Sequence, residues 1–364
     1  MSNEQYLDEK EAQVTTPRCT SCGAEMDFDI ESGNLKCAHC GSIQEIEKDD
    51  NVQRREMTDE VLKQHANWNE STVAKCSGCG ASHVLDKKDI SRECCFCGSN
   101  TIVATSELAG IKPDSVIPFQ ITKDSALERF TTWMKKKWLA PRLFKTADVR
   151  AKFNGLYCSC WSFSAKTENS YSGTLGRRVS YQVRGANGQM VTRTQIKYFR
   201  VSGNINETYL DYLVQSGDRI SPAMFSKIKP FNLKLIQVYR QEFLSGIIAE
   251  HYSRNLDSCF NDFSTYVRAD IRRKILRKHN ADTVSTLNIQ TKWHDRKFNY
   301  ILLPVYIANY LYNGKTFNFY VNGASGAIVG KYPKSKLKIA LIVLGSILAV
   351  GAIGVGLYFG GIFG

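Results

Sequence analysis

Eight of the chain's 12 cysteines fall into four Cys-x-x-Cys pairs. Cys19 and Cys22 precede Cys37 and Cys40; Cys76 and Cys79 precede Cys94 and Cys97. In each group 14 residues separate the two pairs, and every cysteine of the second group lies 57 positions after its counterpart. A Cys-x-x-Cys turn aims two thiolates at one point. Two such turns supply the four sulfurs of a closed, tetrahedral zinc site. Gly23, Gly41, Gly80 and Gly98 follow the pairs. Glycine accepts the positive φ that a tight knuckle demands and lets backbone N–H groups approach sulfur. A four-sulfur site leaves no open position for water, so its expected role is structural, with metal binding supplying folding free energy. The expectation is two structural zinc ions, one per group. An iron centre, disulfides and a redox dithiol are the rival readings of the same residues. The βαβ context of a redox dithiol is missing.

The other candidates are weaker. Cys95 sits beside Cys94, but Cys94 keeps the repeat spacing. His39 and His83 fall inside the two groups and read as surface residues, because cysteines already complete each shell. Cys158, Cys160 and Cys259 have no fourth partner at metal spacing and read as buried apolar side chains. There is no HExxH, no GxSxG and no GxxxxGK[ST]. Gly314-Lys315-Thr316 lacks the upstream glycine of a phosphate loop, since position 309 is Asn, and its context is a hairpin turn. His251, His279 and His294 have no acidic or nucleophilic partner at motif spacing. A non-enzymatic protein is expected.

The elements that must hold these cysteines follow from the rest of the chain. Its 364 residues are 43% hydrophobic and 23% charged, values of a folded protein rather than a disordered one. The net charge of +13 is unevenly spread: residues 1–60 carry −9 and the remainder +22. A basic body of this kind suits an anionic partner or surface. Five regions are expected: a zinc ribbon over 17–47, a linker or short helix over 48–73, a second ribbon over 74–104, an α+β body over 113–335, and a transmembrane helix over 339–359. Within the body, Leu127, Phe130, Met134 and Trp138 recur at helical spacing until Pro141 breaks the pattern. Leu256, Cys259, Phe260, Phe263, Val267, Ile271 and Ile275 form a second stripe, ending in Arg272, Arg273, Lys274, Arg277 and Lys278, cations that a helix C-terminus favours. Strands are expected from about Leu156 to Val214 and from Val284 to Lys331, with Asn187-Gly188, Asn313-Gly314 and Asn322-Gly323 as turns. The fold class is α+β with antiparallel strands.

Residues Ile339 to Phe359 contain no charge. At 1.5 Å per residue they span about 30 Å, the thickness of a bilayer core. Lys331, Lys334, Lys336 and Lys338 precede them, and lysine excess marks the cytoplasmic side. The expectation is a single-pass C-terminal anchor in the cell membrane, with the bulk of the chain cytoplasmic.

The two cysteine groups resemble zinc ribbons of the TFIIB type. Over most of its length the chain resembles a bacterial family of TFIIB-type zinc-ribbon membrane proteins. The stretches that carry the likeness are Trp133-Met-Lys-Lys-Lys-Trp138 with Pro141, Gly155-Leu-Tyr157 with Trp161, Gly246 with Glu250 and Tyr252, Leu302-Leu-Pro304-Val-Tyr306, and Val321-Asn-Gly323 with Gly326 and Gly330. Members often show Pro-Phe before the tryptophan, where this chain has Ser159-Cys160. Family members are often labelled as relatives of a replication-restart helicase, a likeness that lies in the cysteine knuckles alone. Some are similar to proteins encoded beside phage-shock (PspA-type) and flotillin-like SPFH proteins. The resemblance implies a membrane-anchored adaptor that recruits cytoplasmic partner proteins of those types, in an envelope stress response. The alternative expectation is a zinc-ribbon protein that binds nucleic acid at the membrane.

Overall fold

The computed structural model describes residues 17–58, 61, 67–76, 82–85, 94, 102–109, 111–141, 153–184, 188–217, 220–312 and 315–360. Three strands dominate it. Strand β9 (Phe153–Arg184) runs for 32 residues, β10 (Met190–Gln215) for 26 and β13 (Thr283–Tyr312) for 30. β9 pairs antiparallel with β10 on one side and with β13 on the other, through Trp161↔Val214 and Trp161↔Tyr300. Strands this long exceed the usual five or six residues several-fold. From Phe153 to Ala165 of β9 and from Phe298 to Ala308 of β13 their side chains alternate between two cores. Tyr157, Trp161 and Phe163 of β9 join Tyr300, Leu302 and Tyr306 of β13 on one face. Leu156, Cys158 and Cys160 join Ile301, Leu303 and Val305 on the other. A strand buried on both faces reads as a continuous apolar run, as Ile301 to Ile307 does.

The remaining strands extend this sheet. β8 (Ser115–Val116) and β4 (Arg55–Glu56) pair with β13, and β11 (Gln237–Val238) with β8. β14 (Lys315–Asn322) pairs with β13, and β15 (Ile328–Gly330) with β14. β12 (Ile248–Glu250) runs parallel to β9 and antiparallel to β6 (Ser82–Leu85), which pairs with β5 (Asn67–Cys76); β7 (Ile102–Ala109) pairs with β5. The whole is a mostly antiparallel 12-stranded sheet, curled into a half-barrel.

Four α-helices are found among the described residues. α1 (Lys123–Lys135) buries Leu127, Phe130 and Met134, and Thr122 caps it by accepting the Ser125 N–H at 3.3 Å. α3 (Leu256–Lys278) buries Leu256, Cys259, Phe263, Val267, Ile271 and Ile275 against the long strands, and Asn255 caps it. α3 lies where its stripe places it; α1 ends at Lys135, so Trp138 of the first stripe falls beyond the helix and is 63% exposed. α2 (Pro222–Ile228) lies on the opposite face, with Phe225 and Ile228 buried. α4 (Lys336–Gly360) begins beside α1, where the Lys338 ammonium donates to the carbonyls of Trp138 and Ala140 at 2.6 and 2.9 Å.

Two expectations are corrected here. Among the described residues no helix is long and apolar enough to cross a membrane. The expected single-pass C-terminal anchor, and the localisation drawn from it, are therefore replaced by a helix docked at its first turn. The expected α+β body carrying two tandem ribbons is replaced by the curled sheet with one four-cysteine site among the described residues. The second cysteine group is not a separate ribbon: β5, β6 and β7 enter the main sheet through β6–β12, with Ala249 opposite Val84. The expected 313–314 turn and residue 187 lie outside the described residues, as does most of the expected 58–68 helix.

Candidate metal centre

The first cysteine group is held by a small sheet of its own. β1 (Met26–Asp29), β2 (Asn34–Cys37) and β3 (Ile43–Gln44) pair antiparallel in that order. Ser32 donates its N–H to the Asp29 carboxylate at 2.9 Å, and Gly33, with φ +66°, completes the β1–β2 turn. Each Cys-x-x-Cys pair then closes a knuckle: the Gly23 N–H donates to the Cys19 carbonyl at 2.8 Å and the Gly41 N–H to the Cys37 carbonyl at 2.9 Å. Gly23 and Gly41 both have φ +75°, a conformation that disfavours any side chain.

The knuckles bring Cys19, Cys22, Cys37 and Cys40 together, with all four sulfurs within 4.8 Å of one another. Cys19 and Cys40 are 3.5 Å apart, as are Cys22 and Cys37. A disulfide would need about 2.05 Å, so these are not bonded pairs. A tetrahedron with zinc–sulfur bonds of about 2.3 Å has edges of about 3.8 Å, a little longer than the two 3.5 Å contacts and inside the 4.8 Å that encloses all four sulfurs. The donor set and its spacing fit a thiophilic ion such as zinc. Cys19 and Cys37 are buried and Cys22 and Cys40 exposed, so the cluster sits at the rim of the ribbon. The Ser42 hydroxyl lies 3.1 Å from the Cys40 sulfur and donates to Ser21 at 3.2 Å, tying the knuckles together.

The electrostatics also call for a cation. The N–H of Ser21 is the largest of the influences that lower the Cys19 thiol to about 6. The Ala24 N–H would lower Cys22 as well, yet Cys40 and Cys37 crowd it with competing sulfurs and raise it to about 12. Ser42 lowers Cys40. Four adjacent sulfurs resist shedding all their protons together, and a bound dication removes that conflict.

The ribbon is fastened to the body rather than hung from it. The Phe28 N–H donates to the Ser245 carbonyl at 3.1 Å, and the Phe28 ring meets Phe243 edge-on at 5.7 Å. Gly246, with φ +75°, leaves room for Asp27, whose carboxylate lies 2.7 Å from where a Cβ would stand. Arg240 pairs with Glu47, and the Val238 N–H donates to the Asp49 carbonyl at 2.7 Å. Beyond the ribbon, Arg54 clamps Asp211 through two hydrogen bonds of 2.7 and 2.6 Å.

Of the second group, Cys76 and Cys94 are buried, while Cys79 and Cys97 lie outside the described residues. Cys95 does too. His39 is exposed, as expected. Cys158, Cys160 and Cys259 are fully buried; burial pushes the Cys160 thiol well up and Cys259 to about 11. Cys160 and Cys259 stay protonated, as apolar side chains should. A cleft of about 420 Å³ opens between α2 and β10, lined by Tyr212, Phe225, Lys229 and Arg254 among others. Lys229 donates to the Leu213 carbonyl at 2.7 Å and Arg254 pairs with Asp262 at 2.6 Å. Sequence reading missed this cleft because α2 is two turns long and carries no periodic stripe; Pro222 at its first position was its one signal.

Comparison with known proteins adds a family. YdjG of Bacillus subtilis (strain 168), itself uncharacterized, is 30% identical to this chain over 333 residues, 90% of this chain and 92% of YdjG. The chain belongs to the YdjG family. A match over 90% of the chain extends far beyond a cysteine motif. No family model matches the chain. No solved structure matches it.

Proposed function

We propose that this member of the YdjG family is a non-enzymatic adaptor whose metal-bound ribbon presents a docking surface for protein partners. The observation that supports this most is the cluster itself: four sulfurs from two knuckles fill the coordination shell of one ion and leave no ligand position for a substrate. Zinc is the metal proposed. A second ion at Cys76, Cys79, Cys94 and Cys97 is proposed on spacing alone.

The ribbon offers more than shape. Cys22, His39 and Cys40 are exposed beside the cluster, and Ile43 on β3 is 56% exposed. An exposed aliphatic side chain on a rigid, metal-pinned strand is a suitable contact for a partner. By the sequence resemblance the partners are PspA-type or SPFH/flotillin-like proteins. The test is co-purification of the full-length chain with tagged partners of both types. The wild-type chain should retain one of them, and a Cys22→Ser, Cys40→Ser variant and an Ile43→Asp variant should lose it. Equal retention by all three chains would end the adaptor reading.

A further inference from the structure

Beyond residue 176 the sheet changes character. β13 pairs with β9 only as far as Thr283↔Gly176, whereas β10 continues opposite β9 to Met190↔Arg184. Residues 177–184 and 190–197 are thus a two-stranded arm that leaves the body, about 25 Å long at ~3.3 Å per residue. No residue of the arm is buried. Its root is built firmly. Arg177 donates to the carbonyls of Asn280 and His279 at 2.8 Å each, closing the end of α3. The Arg178 N–H donates to the Asp282 carboxylate at 2.6 Å.

The charge of the arm is one-sided. Between Glu168 and Glu207 the chain has no acidic residue and six basic ones: Arg177, Arg178, Arg184, Arg193, Lys197 and Arg200. Ion pairs are formed elsewhere, as by Lys274 with Glu207 and Asp270, but no ion pair is found for these six among the described residues. The α3 terminus adds Arg277 and Lys278 beside the root. Repulsion among such cations costs stability, and apart from Arg177, which closes α3 and lies over the Phe199 ring, their side chains stand on exposed strand.

The placement of the cations discriminates among anionic partners. Register puts Arg177, Arg193 and Lys197 on one face of the ribbon and Arg178, Arg184 and Arg200 on the other. A flat membrane or a protein surface meets one face of a ribbon and leaves the other in water. A nucleic-acid groove meets both, because phosphates rise on either side. The major groove of B-form DNA, about 12 Å wide, admits a two-stranded β-ribbon. Between the cations stand Ser180, Gln182, Thr192, Thr194 and Gln195, side chains of the kind that can hydrogen-bond to phosphates or base edges, and the exposed Tyr181 and Tyr198.

We propose that the β9–β10 arm is a docking element for double-stranded nucleic acid, entering the groove with cations on both faces. This goes beyond the adaptor reading and does not depend on the metal centre. The four arm cations other than the root residue Arg177, namely Arg178, Arg184, Arg193 and Lys197, would each meet a phosphate. With about 0.9 counterions released per contact, the dependence of log affinity on log salt has a slope of about −3.6, so affinity falls about 150-fold between 50 and 200 mM salt.

The experiment measures fluorescence anisotropy of a labelled duplex of about 24 base pairs against the full-length chain and against an Arg184→Gln, Arg193→Gln, Lys197→Gln variant. These three side chains are exposed, so circular dichroism should be unchanged. The variant keeps one of the four contacts, and its affinity should fall only about 3.5-fold over the same salt range. A chain with Cys22→Ser and Cys40→Ser should bind the duplex as the wild type does, which separates this proposal from the adaptor reading. Absence of duplex binding at 50 mM salt overturns the proposal, and so does a salt slope the triple substitution leaves unchanged. Tighter binding to poly-glutamate or to phosphatidylserine vesicles than to duplex overturns it in favour of a protein or lipid partner. A single-stranded oligonucleotide bound as tightly as the duplex overturns groove entry.

Discussion

Stripping the metal from the first ribbon should unfold that ribbon and little else. The ribbon's own apolar interior is small: Cys19, Met26, Phe28, Leu35, Cys37 and Ile46 are its buried hydrophobics, and two of those are the ligands themselves. Four remaining side chains at about 1.5–3 kcal/mol each give about 6–12 kcal/mol, an upper bound that ordering some 30 residues at about 1 kcal/mol or more each consumes several-fold. Metal binding in comparable cysteine sites supplies about 10–16 kcal/mol. The ion and the Phe28–Phe243 contact must therefore carry the local fold. The assay is hydrogen exchange read by mass spectrometry on full-length protein, before and after chelation, with bound metal quantified in parallel. Peptides covering β1 and β2 should lose protection as the ion leaves, while peptides from β9 and β13 keep theirs. Cys37→Ser should produce the same local loss without chelator. Full protection of residues 26–37 after complete metal removal, or purified protein carrying no metal, would refute the reasoning.

Three further outcomes follow from the body. Phe263→Ala empties a site where the Phe163 ring stacks at 5.5 Å and Tyr212, Phe260 and Trp293 also meet Phe263, and should cost about 3–5 kcal/mol in urea unfolding; a loss under about 1 kcal/mol would mean the core collapses into the space. Gly173→Ala puts a methyl 2.2 Å from the Thr286 carbonyl oxygen and 2.8 Å from the Leu287 Cα, backbone atoms that cannot swing away, and should cost about 1–3 kcal/mol, whereas Gly345→Ala, with open space around it, should not lower the melting temperature. Burial holds His251 down to about 4, so the unfolded chain takes up a proton below about 6.5 that the folded chain refuses; stability should fall by on the order of 3 kcal/mol as pH drops from 6.5 to 4, and His251→Gln should flatten that slope in chemical denaturation at stepped pH.

What the sequence disclosed was what depends on near neighbours. The spacing of Cys19, Cys22, Cys37 and Cys40 is a local constraint, and those four sulfurs meet. The stripes from Leu127 and from Leu256 obey a helical period and became α1 and α3. Asn187-Gly188 signalled the reversal between β9 and β10, and Gly188 has the positive φ such a turn uses. The length of the strands was not legible. Cys158 faces Leu303, 145 positions away, because two apolar surfaces match in volume, and no short motif encodes that register. The joining of β6 to β12 is of the same kind, and it turned an expected second ribbon into sheet. The tail's apolar run predicted its helicity, and α4 is helical from Lys336 to Gly360, but among the described residues no helix is long and apolar enough to cross a bilayer.

The ribbon and the arm stand at opposite reaches of the fold. The ribbon rests on Phe243 and Ser245, next to β12, which pairs with β9 at Leu156 and Tyr157. The arm begins at Arg177, 20 residues further along β9, or about 65 Å of strand at ~3.3 Å per residue. Groups that far apart with no shared partner act additively. The metal site can lose its ion without disturbing the arm's cations, and the arm can lose its cations without loosening the cysteines. A rigid three-stranded spine between two such ends suits a protein that holds two partners at a set distance. Burial on both faces of β9 ends at Ala165; from Lys166 to the arm one face of the strand is open to water, so the spine is packed on a single side where the arm leaves it.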